Sequence, residues 1–150
     1  MRAQSLGLLE LGAVPALPEA VELATGFGVD LSRHRARELA QADLAQCDLV
    51  LGFEQIHVSA AVVDGGAPIG QTFTLPELVA LLDKVPSSSS AGIEAAHARI
   101  EEAHAMRKSG PRRRSVAEIS DPLGRPPSTQ RRIAGEIRLL VSDLAARLFG

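Results

Sequence analysis

"CDLVLGF", residues 47–53, is the stretch on which the architecture turns. It is short, almost continuously apolar and closed by Gly52, which is how a strand buried on both faces of a parallel sheet reads. Around it the hydrophobic period alternates between strand-like and helix-like, so the expected class is α/β. Upstream, "QSLGLLEL" (4–11) is a second strand candidate. "LPEAVELATGFG" (17–28) reads as a helix, with Pro18 suited to a first turn and Gly26 or Gly28 as its stop. Residues 30–47 read as a loop followed by one or two short helical pieces. Downstream come a helix at "EQIHVSAAVVDGG" (54–66), a short strand at "TFTL" (72–75) and a helix at "LPELVALLDKV" (75–85) opened by Pro76 and Glu77.

"PSSSS" (86–90) is read as a flexible break. Residues 91–110, rich in Ala and Glu, predict a helix; "PRRRS" (111–115) is a basic loop; residues 130–149 predict a long amphipathic helix. In that last helix Ile133, Ile137, Leu140, Val141, Leu144 and Leu148 keep three-and-four spacing. No internal repeat or boundary divides the chain. Residues 1–150 are expected to be one domain, with 86–115 as a flexible or helical insertion.

The chain has 150 residues, of which 45% are hydrophobic and only 3% aromatic, so its core must rest on Leu, Val, Ile and Ala. A net charge of −2 argues for neither nucleic acid nor membrane as a partner. One Cys rules out an internal disulfide and suits a reducing compartment. No secretory pattern opens the chain, and no apolar run approaches the ~18 residues of a membrane helix. A soluble, cytoplasmic protein is expected.

"EISDPLGRP" (118–126) is built to present one carboxylate, Asp121, on a loop turned by Pro122 and Gly124. Taken alone the string is a turn; with a nucleophile opposite, Asp121 is a general acid. Cys47 is not that nucleophile. A cysteine phosphatase needs Cys, five residues, then Arg, whose fork holds the phosphate and depresses the thiol pKa. Six places after Cys47 stands Phe53, and an inert core thiol is the reading. His97 and His104 share a helix face without a third ligand, so no metal is expected. The run "RKSGPRRRS" (107–115) lacks interleaved aromatics and reads as a solvated loop. No phosphate-cradling glycine loop is present.

Taken in order, these segments resemble the low-molecular-weight protein tyrosine phosphatases. "GVDLSRHRARELA" (28–40) is similar to that family's stretch after its second helix, with His34, Ala36, Arg37 and Leu39 in matching places. "CDLVLGF" resembles its next strand, with the usual acidic residue displaced to Glu54. "TFTLPELVALL" resembles some bacterial members, and "ISDPLG" the general-acid loop. The resemblance implies a three-layer fold, a parallel sheet flanked by helices. It also implies hydrolysis of phosphate monoesters through a phosphocysteine without metal or other cofactor. Asp121 would protonate the leaving oxygen and then activate water. His34 would help order the phosphate loop from behind. Leu123 stands where the family has an aromatic that walls the substrate cleft, which loosens any preference for aryl phosphates.

"RAQSLGLLELGA" (2–13) resembles the family's second strand and the segment after it. The resemblance therefore implies that the first strand, the nucleophile loop and the first helix are missing from this chain, which is expected to be inactive as it stands. Two origins are weighed: a late start within a gene for a complete phosphatase, which is favoured, and a truncated relative that binds or scaffolds without catalysing. Arsenate reduction on the same fold would need cysteines that are absent. The complete enzyme would take a phosphorylated protein or a small phosphate ester. The family's sheet cannot close without its first strand, and self-association through the exposed sheet edge is the accompanying expectation.

Overall fold

A computed structural model describes residues 3–9, 11–86, 91–109 and 117–150. Its elements are α1 (Pro18–Gly26), β1 (Val50–Gly52), α2 (Gln55–Val63), β2 (Thr72–Thr74), α3 (Leu75–Leu82), α4 (Ile93–Ser109) and α5 (Pro127–Phe149), with 3-10 turns at Leu39–Gln41 and Ile69–Gln71. β1 and β2 run parallel and pair Val50 with Thr72, Leu51 with Phe73 and Gly52 with Thr74. The expected parallel α/β arrangement is present, with two strands laddered among the described residues.

Side chains alternate across a strand, and the core divides by that alternation. Leu49 and Phe73 pack into a large cluster with Leu75, Leu78 and Leu82 of α3, Ile100 of α4 and Ile133, Leu144 and Leu148 of α5. Val50 packs against a smaller cluster of Leu39, Leu44, Ala61 and Ala67. Gly52 closes β1 because α2 turns back over it: a Cβ there would lie 2.8 Å from His57 Cβ. The buried threonines of β2 are satisfied. Thr72 Oγ1 donates to Pro68 O at 2.8 Å, and Thr74 Oγ1 donates to Ala117 O at 3.0 Å while accepting from Glu77 N as the N-cap of α3.

α1 ends in a Schellman motif. Gly28, at φ +75°, donates to Thr25 O, and Val29 donates to Ala24 O. None of the nine residues of α1 is fully buried, so the helix lies against the body on one side only. α5 begins at Pro127, three residues before the expected start at 130, because proline is tolerated where a first-turn N–H has no helical partner.

The strand candidate at 4–11 is corrected: its described residues, 4–9 and 11, form no strand. Gly7 instead makes a single parallel bridge with Glu38, donating to Arg37 O at 2.8 Å and accepting from Leu39 N at 2.9 Å. Arg37 Nη1 reinforces the contact through Gln4 Oε1 at 2.8 Å. Leu9 and Leu11, which a buried strand would cover, are more than half exposed.

α4 occupies most of the expected 86–115 insertion and buries Ala96, Ile100 and Ala103 along one face. Most of the expected break (86–90) and the basic loop at 111–115 lie outside the described residues. Arg107, the first residue of the "RKSGPRRRS" run, is not solvated as expected: its guanidinium grips the Glu77 carboxylate. Among the described residues no helix is long and apolar enough to cross a membrane.

Candidate active site

Residues 117–119, the first described after α4, lie across the carboxyl ends of both strands. Ala117 O accepts from Thr74 Oγ1 at 3.0 Å. Glu118 Oε1 accepts from Gln55 N, the first residue of α2, at 2.7 Å. Ile119 N donates to Phe53 O at 2.8 Å, and its side chain, 3% exposed, enters the large core. In open parallel sheets the carboxyl ends of the strands are where ligands bind.

Beyond this stem the backbone turns twice. Asp121 Oδ1 accepts from Leu123 N at 2.8 Å, closing an Asx turn. Arg125 N donates to Pro122 O at 3.1 Å, closing a second turn whose third residue, Gly124, has φ +70°. The far end is held by Gln130 Nε2, which donates to Arg125 O at 2.9 Å. Asp121 is exposed, with one carboxylate oxygen engaged in the turn.

Asp121 and Leu123 line one groove, of about 960 Å³, between α1, this loop and α5. Its walls are apolar: Leu23 and Phe27 from α1 and its cap, Ile137 and Val141 from α5. Val141, a core position by its spacing, is 49% exposed because it faces this opening. Among the described residues Arg138 is the one cation that lines it, its guanidinium 5.4 Å from the Phe27 ring centroid.

The structure brings Asp121 and Leu123 together and does not bring His34 to them. His34 lies in the turn before Arg35, donating its N–H to Leu31 O at 3.0 Å, and is not among the groove's lining residues. Cys47 is half-buried against the smaller cluster. His97 Nε2 lies 3.2 Å from Asp48 Oδ1, and among the described residues no three His, Cys, Asp or Glu side chains gather as metal ligands. Away from the groove, Asp30 accepts from Ser32 N at 2.8 Å, which holds its carboxyl below the usual range.

No family model matches the sequence. The chain is 32% identical over 74 residues to a "Probable low molecular weight protein-tyrosine-phosphatase EpsP" of Ralstonia nicotianae, a match covering 49% of this chain and 51% of the relative. It thus spans about half the length of the curated relative it matches. The fold superposes on the crystal structure of a low molecular weight protein tyrosine phosphatase from T. tengcongensis with a TM-score of 0.66 at 26% identity, over 97% of this chain and 76% of that one. Both matches are to low molecular weight protein tyrosine phosphatases, which this chain resembles in sequence over half its length and in fold over nearly all of it.

Two features of the site escape sequence reasoning. Glu118 stood three places before Asp121 with no visible partner, because its partner is a backbone N–H sixty-three residues away. Phe27 and Arg138 meet across α1 and α5, and no local spacing joins them. At the start of α2 a signal did exist. Glu54 and His57 are three apart at a strand-to-helix junction, and they form a reciprocal cap in which Glu54 N donates to His57 Nδ1 at 3.1 Å.

Proposed function

We propose that Asp121 is the general acid of a phosphate monoester hydrolase that works through a phosphocysteine, and that residues 1–150 do not themselves supply the nucleophile. The observation that carries this reading is the placement of Asp121 in the groove, on a loop stapled to the carboxyl ends of β1 and β2. A Cys thiolate attacks phosphorus and the P–O ester bond breaks, while the Asp121 carboxyl gives its proton to the leaving oxygen. The resulting carboxylate takes a proton from water as that water attacks the phosphocysteine, which releases phosphate and thiolate. The sole thiol, Cys47, has Phe53 rather than Arg six places on. The nucleophile and its arginine therefore come from outside these residues. In this reading the substrate is a phosphorylated protein or small phosphate ester, Leu123 walls the cleft, His34 supports the phosphate loop, and no cofactor takes part. Residues 1–150 act as one cytoplasmic domain, and the open sheet edge favours self-association.

The test has two arms. Residues 1–150 alone should turn over p-nitrophenyl phosphate no faster than their Asp121→Ala variant; turnover lost in that variant would overturn the claim that the nucleophile lies elsewhere. Fused behind a strand, Cys-x5-Arg loop and helix from a complete family member, the chain should gain activity. In that fusion Asp121→Asn keeps the acceptor for Leu123 N–H and removes the acid, so kcat should fall by about 10²–10⁴. An unchanged kcat would dispose of Asp121 as the acid. The second reading, a non-catalytic binding module, is favoured by the volume and apolar lining of the groove. A fusion that folds but stays inactive would support it.

A further inference from the structure

We infer that Glu118 is a positioning residue for the general acid, an inference that rests on the reading of Asp121 given above. A proton donor must sit within about 2.6–3.2 Å of the oxygen it serves, and displacement by about 1 Å costs catalysis on the order of 10²-fold. Asp121 is on an exposed loop, so its position depends on how firmly the stem is held. Among the described residues three hydrogen bonds hold that stem, through Ala117 O, Glu118 Oε1 and Ile119 N. Only the second uses a stem side chain.

The Glu118 bond is dispensable for the helix it touches. α2 is already capped by its own Glu54 and His57. A carboxylate beside the first-turn N–H groups is favoured by the helix dipole, so the contact draws the loop to α2 at little cost. With Glu118 tied to Gln55 and Ile119 tied to Phe53, Ser120 is the single residue between the anchors and Asp121. The Asx turn then orients the Asp121 carboxylate itself.

The experiment is amide hydrogen exchange on the 150-residue chain. Glu118→Ala should speed exchange of the Ile119, Leu123 and Arg125 amides about fivefold, the equivalent of losing one exposed helix-terminal bond, and leave Leu78 and Ile133 unchanged. Glu118→Gln keeps an acceptor oxygen and should restore most of the protection. Gln55→Pro deletes the donor and leaves Glu118 in place, at a position where proline is at home in a helix and after Glu54, whose φ of −126° and ψ of 160° suit a pre-proline residue. It should reproduce Glu118→Ala, and the double variant should add nothing further. Loop exchange unchanged in both single variants would overturn the inference. So would a rise spread equally over Leu78 and Ile133, since that marks a general structural role. Exchange needs no turnover, so failure here is distinct from failure of the general-acid reading, which the Asp121→Asn fusion tests.

Discussion

Phe73→Ala should lower the free energy of unfolding by about 4 kcal/mol, within the range of large-to-small aromatic substitutions in cores. Phe73 is fully buried at the centre of β2, where it packs with α3, α4 and α5 in the large cluster. The chain is only 3% aromatic, so few other side chains could fill the volume left behind. Against a typical total of about 5–15 kcal/mol, the loss takes a domain of this size close to its unfolding threshold. Urea titration followed by circular dichroism reads the effect as a lower midpoint at unchanged slope. A loss under about 1.5 kcal/mol would mean that the cluster collapses around the gap. Phe73→Leu should cost far less, since it preserves most of the volume.

Arg107→Ala should cost about 2–3 kcal/mol, between the cost of losing a surface pair and that of breaking a fully buried one. Its Nε and Nη2 each lie 2.9 Å from a Glu77 oxygen in a bidentate pair, Nη2 also donates to Thr72 O at 2.8 Å, and Nη1 donates to Ile69 O at 3.2 Å. The guanidinium lies 3.9 Å from the Phe73 ring centroid. The two side chains are 23% and 16% exposed, which sets the pair between those two limits. Arg107→Lys should recover little, because an ammonium cannot reproduce the fork and the stacked plane together. Because Arg107 rests on Phe73, the two alanine substitutions should be non-additive, with a coupling of about 1 kcal/mol in a double-mutant cycle. Strict additivity would show that the stacked contact carries no energy of its own.

Legibility in the sequence followed the range of the interactions. The apolar run at 47–53 and "TFTL" fall on β1 and β2 because a strand buried on both faces leaves a local signature. α2, α3 and α4 likewise lie inside their expected spans, since caps and period are local properties. "QSLGLLEL" has the composition of a strand, yet its described residues make one bridge, Gly7 to Glu38, and no strand, because composition does not specify a partner. Arg107 misleads for a related reason: beside further arginines it looks solvated, and only the approach of α3 across thirty residues supplies Glu77. The groove leaves no trace in the sequence. Val141 keeps the spacing of a core residue whether or not anything faces it. Within the site, Asp121 stands out by its Pro and Gly neighbours, whereas Glu118 carries no such mark.

The parity of β1 has one more consequence, for how this sequence can change over time. Leu49 serves one core and Val50 the other. A single-residue insertion between Asp48 and Leu49 would shift the strand past Phe73 by one place and exchange the two sets of side chains. The large α3–α5 cluster would then meet the residues shaped for the small one, and Gly52 would leave the one position that α2 can approach. Substitution can explore this segment one residue at a time, whereas length cannot drift through it in single steps. The loop after Ile119 has no such phase to keep, yet its length is held as well, because Ser120 alone spaces Asp121 from its anchors.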